Sequence, residues 1–400
     1  MLIKRYFILY GGYKEQVIRG QVIEHLSECK SRGMDLKVIF LNYGGSGTAA
    51  MTVKKMSKLG LDYKILPFAR PWNLLKSISD SWKVSRFIKQ DAGKDTSVII
   101  HARGEAGAVA GAVVKFFLRQ KRVDTKLIFD WRGDVWAERC FLYEHKKSGF
   151  RDKAAMLLKI IDVKLKRKLI FTFSDRCIAV SGALVEKSRV KNTYWMPGYA
   201  SQNLFYYDKD IRGFERQRMG VSDKLVFCYS GSIKDYQEPK MMISLVRRVK
   251  QYTPNVSFLI ITQDLEKTEE LLRKNEDLRK NTLVCHADHK DVNNILNAAD
   301  IGLLIRRPGE INRCSFPTKF LEYIYAGLPV ITTEAVPDIS GYIRASNCGT
   351  VVNFDLLPYG IDKCEVQRLL SLDKAIVSSR AKNDFSDDKR FDIYKRLYSA

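Results

Sequence analysis

The sequence predicts an α/β protein made of two Rossmann-like domains in tandem. Short apolar segments of four to six residues alternate with helix-length segments, the pattern of parallel strands covered by helices on both faces. The alternation loosens once, between Met196 and Gly213, and then begins again. A chain of 400 residues suits two domains of roughly 150–200 residues each.

Twelve segments read as strands, six on each side of the expected linker. The strands of the first half are predicted at 6–10, 37–41, 63–68, 97–100, 126–129 and 177–180. Those of the second half are predicted at 225–229, 256–261, 282–284, 301–305, 329–332 and 349–352. In open parallel sheets, ligands bind beyond the carboxyl ends of the strands, so the residues that follow each strand are the first candidates for a site.

The basic charge is concentrated in the first half of the chain. The net charge is +23; residues 1–200 carry 38 basic and 18 acidic side chains, against 30 and 27 in residues 201–400. Such a one-sided field attracts phosphorylated ligands, an anionic membrane or nucleic acid. No helix-turn-helix, zinc-finger or RRM pattern is present, so we expect no nucleic-acid partner.

Cysteine usage and hydropathy bear on the compartment. The eight cysteines form no C-x-x-C pair, which predicts reduced thiols in a cytoplasmic protein and no structural zinc. No apolar run is long enough for a membrane-spanning helix, and the first residues do not form a secretory signal. We therefore expect a cytoplasmic protein, with peripheral attachment to the inner face of the plasma membrane left open.

The most informative stretch is residues 314–330. Ser315 can cap a helix, and Pro317 fits its first turn. Thr318 and Lys319 then lie in that first turn, where the free backbone N–H groups and the lysine side chain can bind an anion. Glu322 follows Lys319 by three residues, on the same helical face. A carboxylate there can accept the two hydroxyls of a ribose whose phosphates sit at the helix end. The alternative is an ordinary strand–helix connection with surface charges.

This stretch resembles the signature of GT-B glycosyltransferases, in particular the retaining family 4 (glycosyl transferases group 1) of bacterial surface polysaccharide synthesis. The signature has two glutamates separated by seven residues and then Gly-x-Pro-Val. Glu322 falls on the second glutamate, which in the family binds the ribose, whereas Cys314 replaces the first. The resemblance implies two domains facing across a cleft, at 1–200 for the acceptor and 201–385 for the nucleotide sugar. It also implies a final helix, 386–400, that crosses back to the first domain.

The resemblance extends to the loops that hold the diphosphate. Residues 229–234, with Gly231, resemble the family's glycine loop, which usually supplies an arginine and a lysine. Ser232 and Gln237 occupy those places here. The candidates to supply the positive charge instead are Lys234, Arg306, Arg313 and Lys319. His286 lies where the family's nucleobase-contacting loop falls.

Two segments of the first half resemble the family's cleft-facing elements. Residues 129–134, with Asp130, Arg132 and Gly133, resemble its "D-x-R-G" element, and His101 follows the strand at 97–100. The resemblance makes His101, Asp130 and Arg132 candidate catalytic residues. A buried Asp–Arg pair and a satisfied structural histidine are the alternatives. Gly11 and Gly12, after the first strand, would let a ligand approach the backbone.

The basic segment 153–168 alternates apolar and cationic residues. Such a helix can lie on an anionic membrane, or its apolar face can simply pack against the sheet. The family's acceptors are often lipid-linked diphosphates, so the expected acceptor is a glycan or a polyprenyl-diphosphate-linked glycan.

The function implied is that of a retaining hexosyltransferase. The resemblance implies that the protein moves a sugar from a nucleotide sugar, with UDP as the favoured nucleotide, during capsule, O-antigen or exopolysaccharide synthesis. The nucleotide sugar is a co-substrate, and neither a cofactor nor a metal is expected. Two alternatives remain open: a nucleotide-sugar epimerase of the same fold, and a non-catalytic membrane-binding protein that uses the basic half.

Overall fold

The structure, a computed structural model, describes residues 2–11, 22–42, 54, 56–69, 74–144 and 150–399. The chain divides into two compact units. Unit 1 is Met1–Pro197 together with Asp387–Ala400, and unit 2 is Gly198–Ser386. Each unit contains one parallel sheet with helices between its strands, which confirms the predicted α/β class.

The sheet of unit 1 has seven described strands in the order β3-β2-β1-β4-β5-β6-β7. They are β1 (Leu2–Tyr10), β2 (Lys37–Asn42), β3 (Tyr63–Pro67), β4 (Thr96–Arg103), β5 (Thr125–Trp131), β6 (Arg176–Ala179) and β7 (Asn192–Trp195). The prediction that the series ends at residue 180 is wrong, because β7 follows. This edge strand has four residues, none of them buried, and so lacks the apolar run that marks the others.

The helices of unit 1 connect these strands. Those described are Glu24–Ser31, Leu74–Ala92, Gly104–Gln120, Val135–Glu144, Phe150–Phe173, Gly182–Lys187 and Asp387–Tyr398. The last of them comes from the end of the chain, and its Tyr394, Leu397 and Tyr398 are buried in the same apolar core as Phe7 and Ile99. Gly12 lies outside the described residues.

The sheet of unit 2 has six described strands in the order β10-β9-β8-β11-β12-β13, and all six are predicted by the sequence. They are β8 (Leu225–Ser230), β9 (Val256–Ile261), β10 (Thr282–Cys285), β11 (Ile301–Leu304), β12 (Val330–Thr333) and β13 (Gly349–Val352). The α-helices are Lys209–Arg218, Pro239–Tyr252, Leu265–Arg273, Glu276–Arg279, Val292–Asn297, Glu310–Arg313, Thr318–Tyr325, Pro337–Ser346, Lys363–Leu370 and Lys374–Asp384. Two 3₁₀ helices span Asp235–Gln237 and Phe354–Tyr359.

The expected linker is shorter than predicted. Helix Lys209–Arg218 begins before Gly213, because the Asp208 carboxylate caps it by accepting hydrogen bonds from the N–H groups of Asp210 and Ile211, both at 2.9 Å.

Both sheets have the doubly wound strand order, in which the order reverses beside the first strand of the unit. In unit 1 the reversal lies between β1 and β4, and in unit 2 between β8 and β11. Ligands of such sheets bind at this point, beyond the carboxyl ends of the strands. The side chains near the ends of β4, β8 and β11 are therefore the candidates for ligand binding in each unit.

Candidate functional site

A glycine loop follows β8 in unit 2. Gly231 has a φ of 142°, and a Cβ atom there would lie only 1.9 Å from Nζ of Lys319. The lysine side chain therefore lies directly against the loop backbone, an approach that only glycine permits.

Four side chains meet beside this loop, and we call them the Gln237 cluster: Tyr229, Gln237, Arg306 and Lys319. Lys319 Nζ donates to Gln237 Oε1 at 2.7 Å and to the Tyr229 hydroxyl at 3.1 Å. Arg306 Nη1 donates to the same Gln237 Oε1 at 2.8 Å, and the Tyr229 hydroxyl donates to it at 2.6 Å. One neutral amide oxygen thus accepts from two cations and a phenol.

Local structure fixes each member of the cluster. Lys319 lies in the first turn of helix Thr318–Tyr325, as predicted. Arg306 follows β11, and its N–H donates to the Thr333 hydroxyl at 3.2 Å, while that hydroxyl donates to the Arg306 carbonyl at 2.6 Å. Gln237 lies in a short 3₁₀ helix, and its Nε2 donates to the Ser232 hydroxyl at 3.2 Å, which directs its oxygen toward the cations.

The electrostatics of the cluster are unbalanced. Burial lowers the pKa of Arg306 below its ordinary value. Burial, and then the neighbouring charge of Arg306, hold the pKa of Lys319 well below its ordinary value, although the Glu322 carboxylate acts in the opposite direction. Within the described ranges, neither cation forms an ion pair with a carboxylate. Two desolvated cations that share a neutral partner form a site for an anion.

The start of the neighbouring helix differs from the prediction. Ser315 does not cap this helix, because its hydroxyl donates back to the Asn312 carbonyl at 2.8 Å. Pro317 is the capping residue, with no side-chain cap bond.

Cys314 is buried, and its Sγ lies 3.4 Å from Glu310 Oε1. Thr318 packs on Gly198, where an added Cβ would lie 2.6 Å from its methyl group.

The other predicted cations lie outside the cluster. Lys234 is exposed and lies over the Tyr236 ring, 5.6 Å from the centroid. Arg313 is exposed and pairs with Glu310 at 3.5 Å. His286 is exposed in the loop after β10. The structure therefore brings together two of the four predicted cations, Arg306 and Lys319.

Unit 1 contains a second charged group, which we call the Asp130 cluster: His101, Arg103, Asp130 and Arg132. Asp130 Oδ1 lies 2.5 Å from Nε of Arg132, and Oδ2 lies 3.3 Å from both Arg103 Nη1 and His101 Nε2. The prediction that His101 and Asp130 follow their strands is wrong, because β4 and β5 are longer than their apolar runs.

The parallel register of β4 and β5 builds this cluster. Arg103 lies opposite Asp130, and His101, two residues earlier, points to the same face. The other ring nitrogen of His101, Nδ1, lies 2.5 Å from the hydroxyl of Tyr398 in helix Asp387–Tyr398. His101 and Asp130 are fully buried.

The charge of Asp130 is balanced by its neighbours. Burial opposes its ionisation, but Arg132, His101 and Arg103 together hold its pKa well below the ordinary value. Burial also lowers the pKa of His101, so its ring is neutral near pH 7. In the structure Asp130 and Arg132 thus form a buried pair of the kind that the sequence left open as an alternative.

The glycines predicted on the acceptor side have ordinary surroundings. Gly11 is buried, and its N–H donates to the Leu41 carbonyl at 2.7 Å. A Cβ at Gly133 would lie 3.6 Å from Glu138 Oε1, a normal contact distance.

Sequence reasoning missed the roles of Arg103, Gln237 and Tyr398. The alternation of side chains along a strand could have paired Arg103 with His101. The resemblance places Gln237 at the diphosphate loop but does not predict that it accepts from both cations, and no local pattern predicts the contact of Tyr398 with His101. In the described part of the chain, no group of three His, Cys, Asp or Glu side chains is arranged to hold a metal ion. Nor is any described helix long and apolar enough to cross a bilayer.

Several known structures resemble this chain over nearly its whole length. HepE of Anabaena in complex with UDP shares 14% identity, with 100% of both chains covered and a TM-score of 0.70. A glycosyltransferase of Rickettsia africae shares 14% identity over 99% of this chain and 98% of that one, with a TM-score of 0.67. WaaG, a glycosyltransferase involved in lipopolysaccharide biosynthesis, shares 14% identity over 99% and 98%, with a TM-score of 0.60.

These likenesses and the two doubly wound sheets define the class of fold, which is GT-B, as predicted. Residues 212–356 match the family described as Glycosyl transferases group 1, and this segment contains the whole Gln237 cluster. The resemblance inferred from the sequence is thus confirmed for the group 1 segment of unit 2. No curated protein sequence matches the chain significantly.

Proposed function

We propose that the protein is a retaining glycosyltransferase that uses a nucleotide sugar, with UDP as the favoured nucleotide. The observation that carries the proposal is the Gln237 cluster, in which Arg306 and Lys319 converge on one neutral oxygen beside Gly231. A diphosphate supplies the negative charge that this pair of cations lacks. The group 1 segment and the UDP bound to HepE of Anabaena support the choice of ligand.

The chemistry requires these cations. When a sugar leaves a nucleotide diphosphate, negative charge builds up on the departing oxygen, and fixed cations stabilise that charge in the transition state. Glu322, one helical turn from Lys319, is our candidate for the ribose hydroxyls. The acceptor that we propose is a glycan, free or linked to a polyprenyl diphosphate, on the cytoplasmic face of the membrane in surface polysaccharide synthesis.

Nucleotide binding by Lys319→Met and Glu322→Ala tests the proposal. A ligand at 100-fold over its dissociation constant stabilises the folded protein by about 2.7 kcal/mol, which a thermal-shift panel of UDP, GDP, ADP, CMP and their sugars would detect. We expect UDP to stabilise the wild-type protein and to lose roughly 100-fold in affinity in Lys319→Met, because a charge-assisted hydrogen bond is lost from a buried site.

The matched control is Lys240→Met, which removes an exposed lysine from the same unit. It should bind UDP as the wild-type protein does. If no nucleotide stabilises the wild-type protein, or if Lys319→Met and Glu322→Ala bind UDP unchanged, the site assignment is wrong.

A further inference from the structure

Helix Phe150–Phe173 has an apolar face in solvent. Four large side chains are exposed there: Leu157 (59%), Leu158 (69%), Ile161 (47%) and Leu165 (63%). At 100° per residue they fall within an arc of about 100° on the helix surface. We call these four residues the exposed stripe.

The exposed stripe is not the face that packs on the protein core. Val163 and Ile170 of the same helix are buried, and they lie on the opposite side. The helix therefore has one apolar face for its own domain and another that the described chain leaves in water. Clustered exposed apolar side chains of this size mark an interaction surface.

A basic cleft lies beside the exposed stripe. Its volume is about 770 Å³, and its lining residues are Lys164, Arg167, Lys168, Phe171, Thr172, Lys187 and Arg189. Its seven lining side chains thus include five cations and no acid.

Two of these cations are neutralised and three are not. Arg167 pairs with Glu105 at 2.8 Å and with the buried Asp134 at 2.6 Å, and Lys187 pairs with Asp134 at 2.9 Å. Lys164, Lys168 and Arg189 form no ion pair with the residues that the structure describes. The uncompensated charge of the cleft is thus strongly positive.

The two features belong to one surface. Lys164 follows Ile161 by three residues, and Lys168 follows Leu165 by three, so Lys168 lies within the arc of the exposed stripe and Lys164 lies at its edge. Apolar side chains flanked by lysines on a helix face are suited to the boundary between lipid headgroups and acyl chains. The excess of 20 positive charges in residues 1–200 adds attraction to an anionic surface.

We infer that helix Phe150–Phe173 docks the protein on an anionic lipid bilayer, with the exposed stripe in the interface and the basic cleft on headgroup phosphates. The inference rests on the proposed function, which places the acceptor at the cytoplasmic face of the membrane, and it names the protein surface that would contact that membrane. It does not depend on the Gln237 cluster or on sugar transfer.

Vesicle sedimentation of the full-length protein tests the inference. We expect binding to vesicles of phosphatidylglycerol and phosphatidylcholine, weak binding to phosphatidylcholine alone, and weaker binding at high salt. Leu158→Asp with Leu165→Asp should reduce affinity roughly tenfold or more, because the stripe can no longer enter the interface. Lys164→Glu with Lys168→Glu should also reduce the affinity for anionic vesicles, by roughly fivefold for each positive charge removed.

Matched controls on unit 2 separate local from general effects. Ile376→Asp replaces a helical apolar residue that is 64% exposed, and Lys267→Glu with Lys274→Glu makes the same change in net charge at exposed sites. Both should bind vesicles as the wild-type protein does.

The UDP thermal shift, measured on each variant, shows independently whether the nucleotide site is intact. The inference is overturned if the wild-type protein ignores anionic vesicles, or if the stripe and control variants bind equally. It is also overturned if the stripe variants change only a self-association of the protein in solution, since a second copy would then be the occupant.

Discussion

The Asp130 cluster of unit 1 and the Gln237 cluster of unit 2 are built alike and charged differently. Each lies at the carboxyl end of central strands in a doubly wound sheet, and each gathers two cations around a short polar side chain. In unit 1 that side chain is a carboxylate. In unit 2 it is a neutral amide.

This difference is our reason for proposing the Gln237 cluster, rather than the Asp130 cluster, as the site that binds an anion. In unit 1 the Asp130 carboxylate offsets part of the positive charge of Arg103 and Arg132 inside the protein. Arg306 and Lys319 find only a dipole, so their charge remains available to a ligand. Substitutions that exchange the central side chains, Asp130 and Gln237, and titration of the groups around them test this difference.

The largest effect is expected from Asp130→Asn, which gives unit 1 the neutral centre of unit 2. The guanidinium groups of Arg103 and Arg132 would then lose the carboxylate that they share, which costs about 3–5 kcal/mol of unfolding free energy. Urea unfolding of the full-length protein measures this loss.

The control for this variant is Asp392→Asn, at a carboxylate that is 62% exposed and pairs with Lys395 at 3.2 Å. It should change the unfolding free energy by less than about 1 kcal/mol, since exposed pairs contribute little. Equal stability of the two variants would contradict the structural role that we assign to Asp130.

The converse exchange is Gln237→Glu, which gives unit 2 an internal counter-charge. The new carboxylate would pair with Arg306 and Lys319 and repel the diphosphate, so we expect UDP affinity to fall at least about tenfold, or 1.4 kcal/mol. The unfolding free energy without ligand should not decrease. Calorimetric titration with UDP measures the affinity.

Gln251→Glu serves as the control, because Gln251 is an exposed-surface partner of Arg248 in the same unit. A Gln237→Glu variant that binds UDP as tightly as Gln251→Glu would show that the cations of the cluster do not hold the nucleotide.

Proton uptake gives a third test of the unbalanced cluster. Burial, and then the charge of Arg306, hold the pKa of Lys319 well below its ordinary value in the free protein. A bound diphosphate favours the charged form and raises this pKa, so at pH values between the free and the bound pKa, binding should take up protons. The dependence of the binding enthalpy on buffer ionisation measures this uptake.

Lys319→Met should show no such uptake at the same pH. Identical buffer dependence in Lys319→Met and the wild-type protein would place the titrating group elsewhere.

The comparison also shows where sequence reasoning succeeds. Apolar runs predict twelve of the thirteen described strands, and the start of helix Thr318–Tyr325 is predicted to carry Lys319. Both predictions rest on local patterns, apolar runs and helix starts, that a sequence states directly.

What the sequence does not supply are the tertiary contacts that assemble the two clusters. Gln237 reaches Arg306 across 69 residues, and Tyr398 reaches His101 across 297. Such contacts depend on sheet order and on the return of the final helix, neither of which has a local pattern. For the same reason, the sequence could not decide whether Asp130 was a structural or a ligand-binding residue.

The smallest effect concerns the histidine of the Asp130 cluster. Burial lowers the pKa of His101 in the folded protein below its ordinary value of 6.5, so between these two values the unfolded chain binds a proton that the folded one does not. The unfolding free energy should therefore fall as the pH drops through 6.5, by at most about 1.4 kcal/mol per pH unit from this residue. Burial also lowers the pKa of His25, so this residue contributes to the pH dependence with the same sign.

His101→Gln removes one of these two contributions. The change to measure is the slope of unfolding free energy against pH below 6.5, which should be shallower than in the wild-type protein even if the variant is less stable overall. An unchanged slope would mean that the His101 ring is charged in the folded protein. The Asp130 cluster would then hold three cations around one carboxylate, one positive charge more than with a neutral His101.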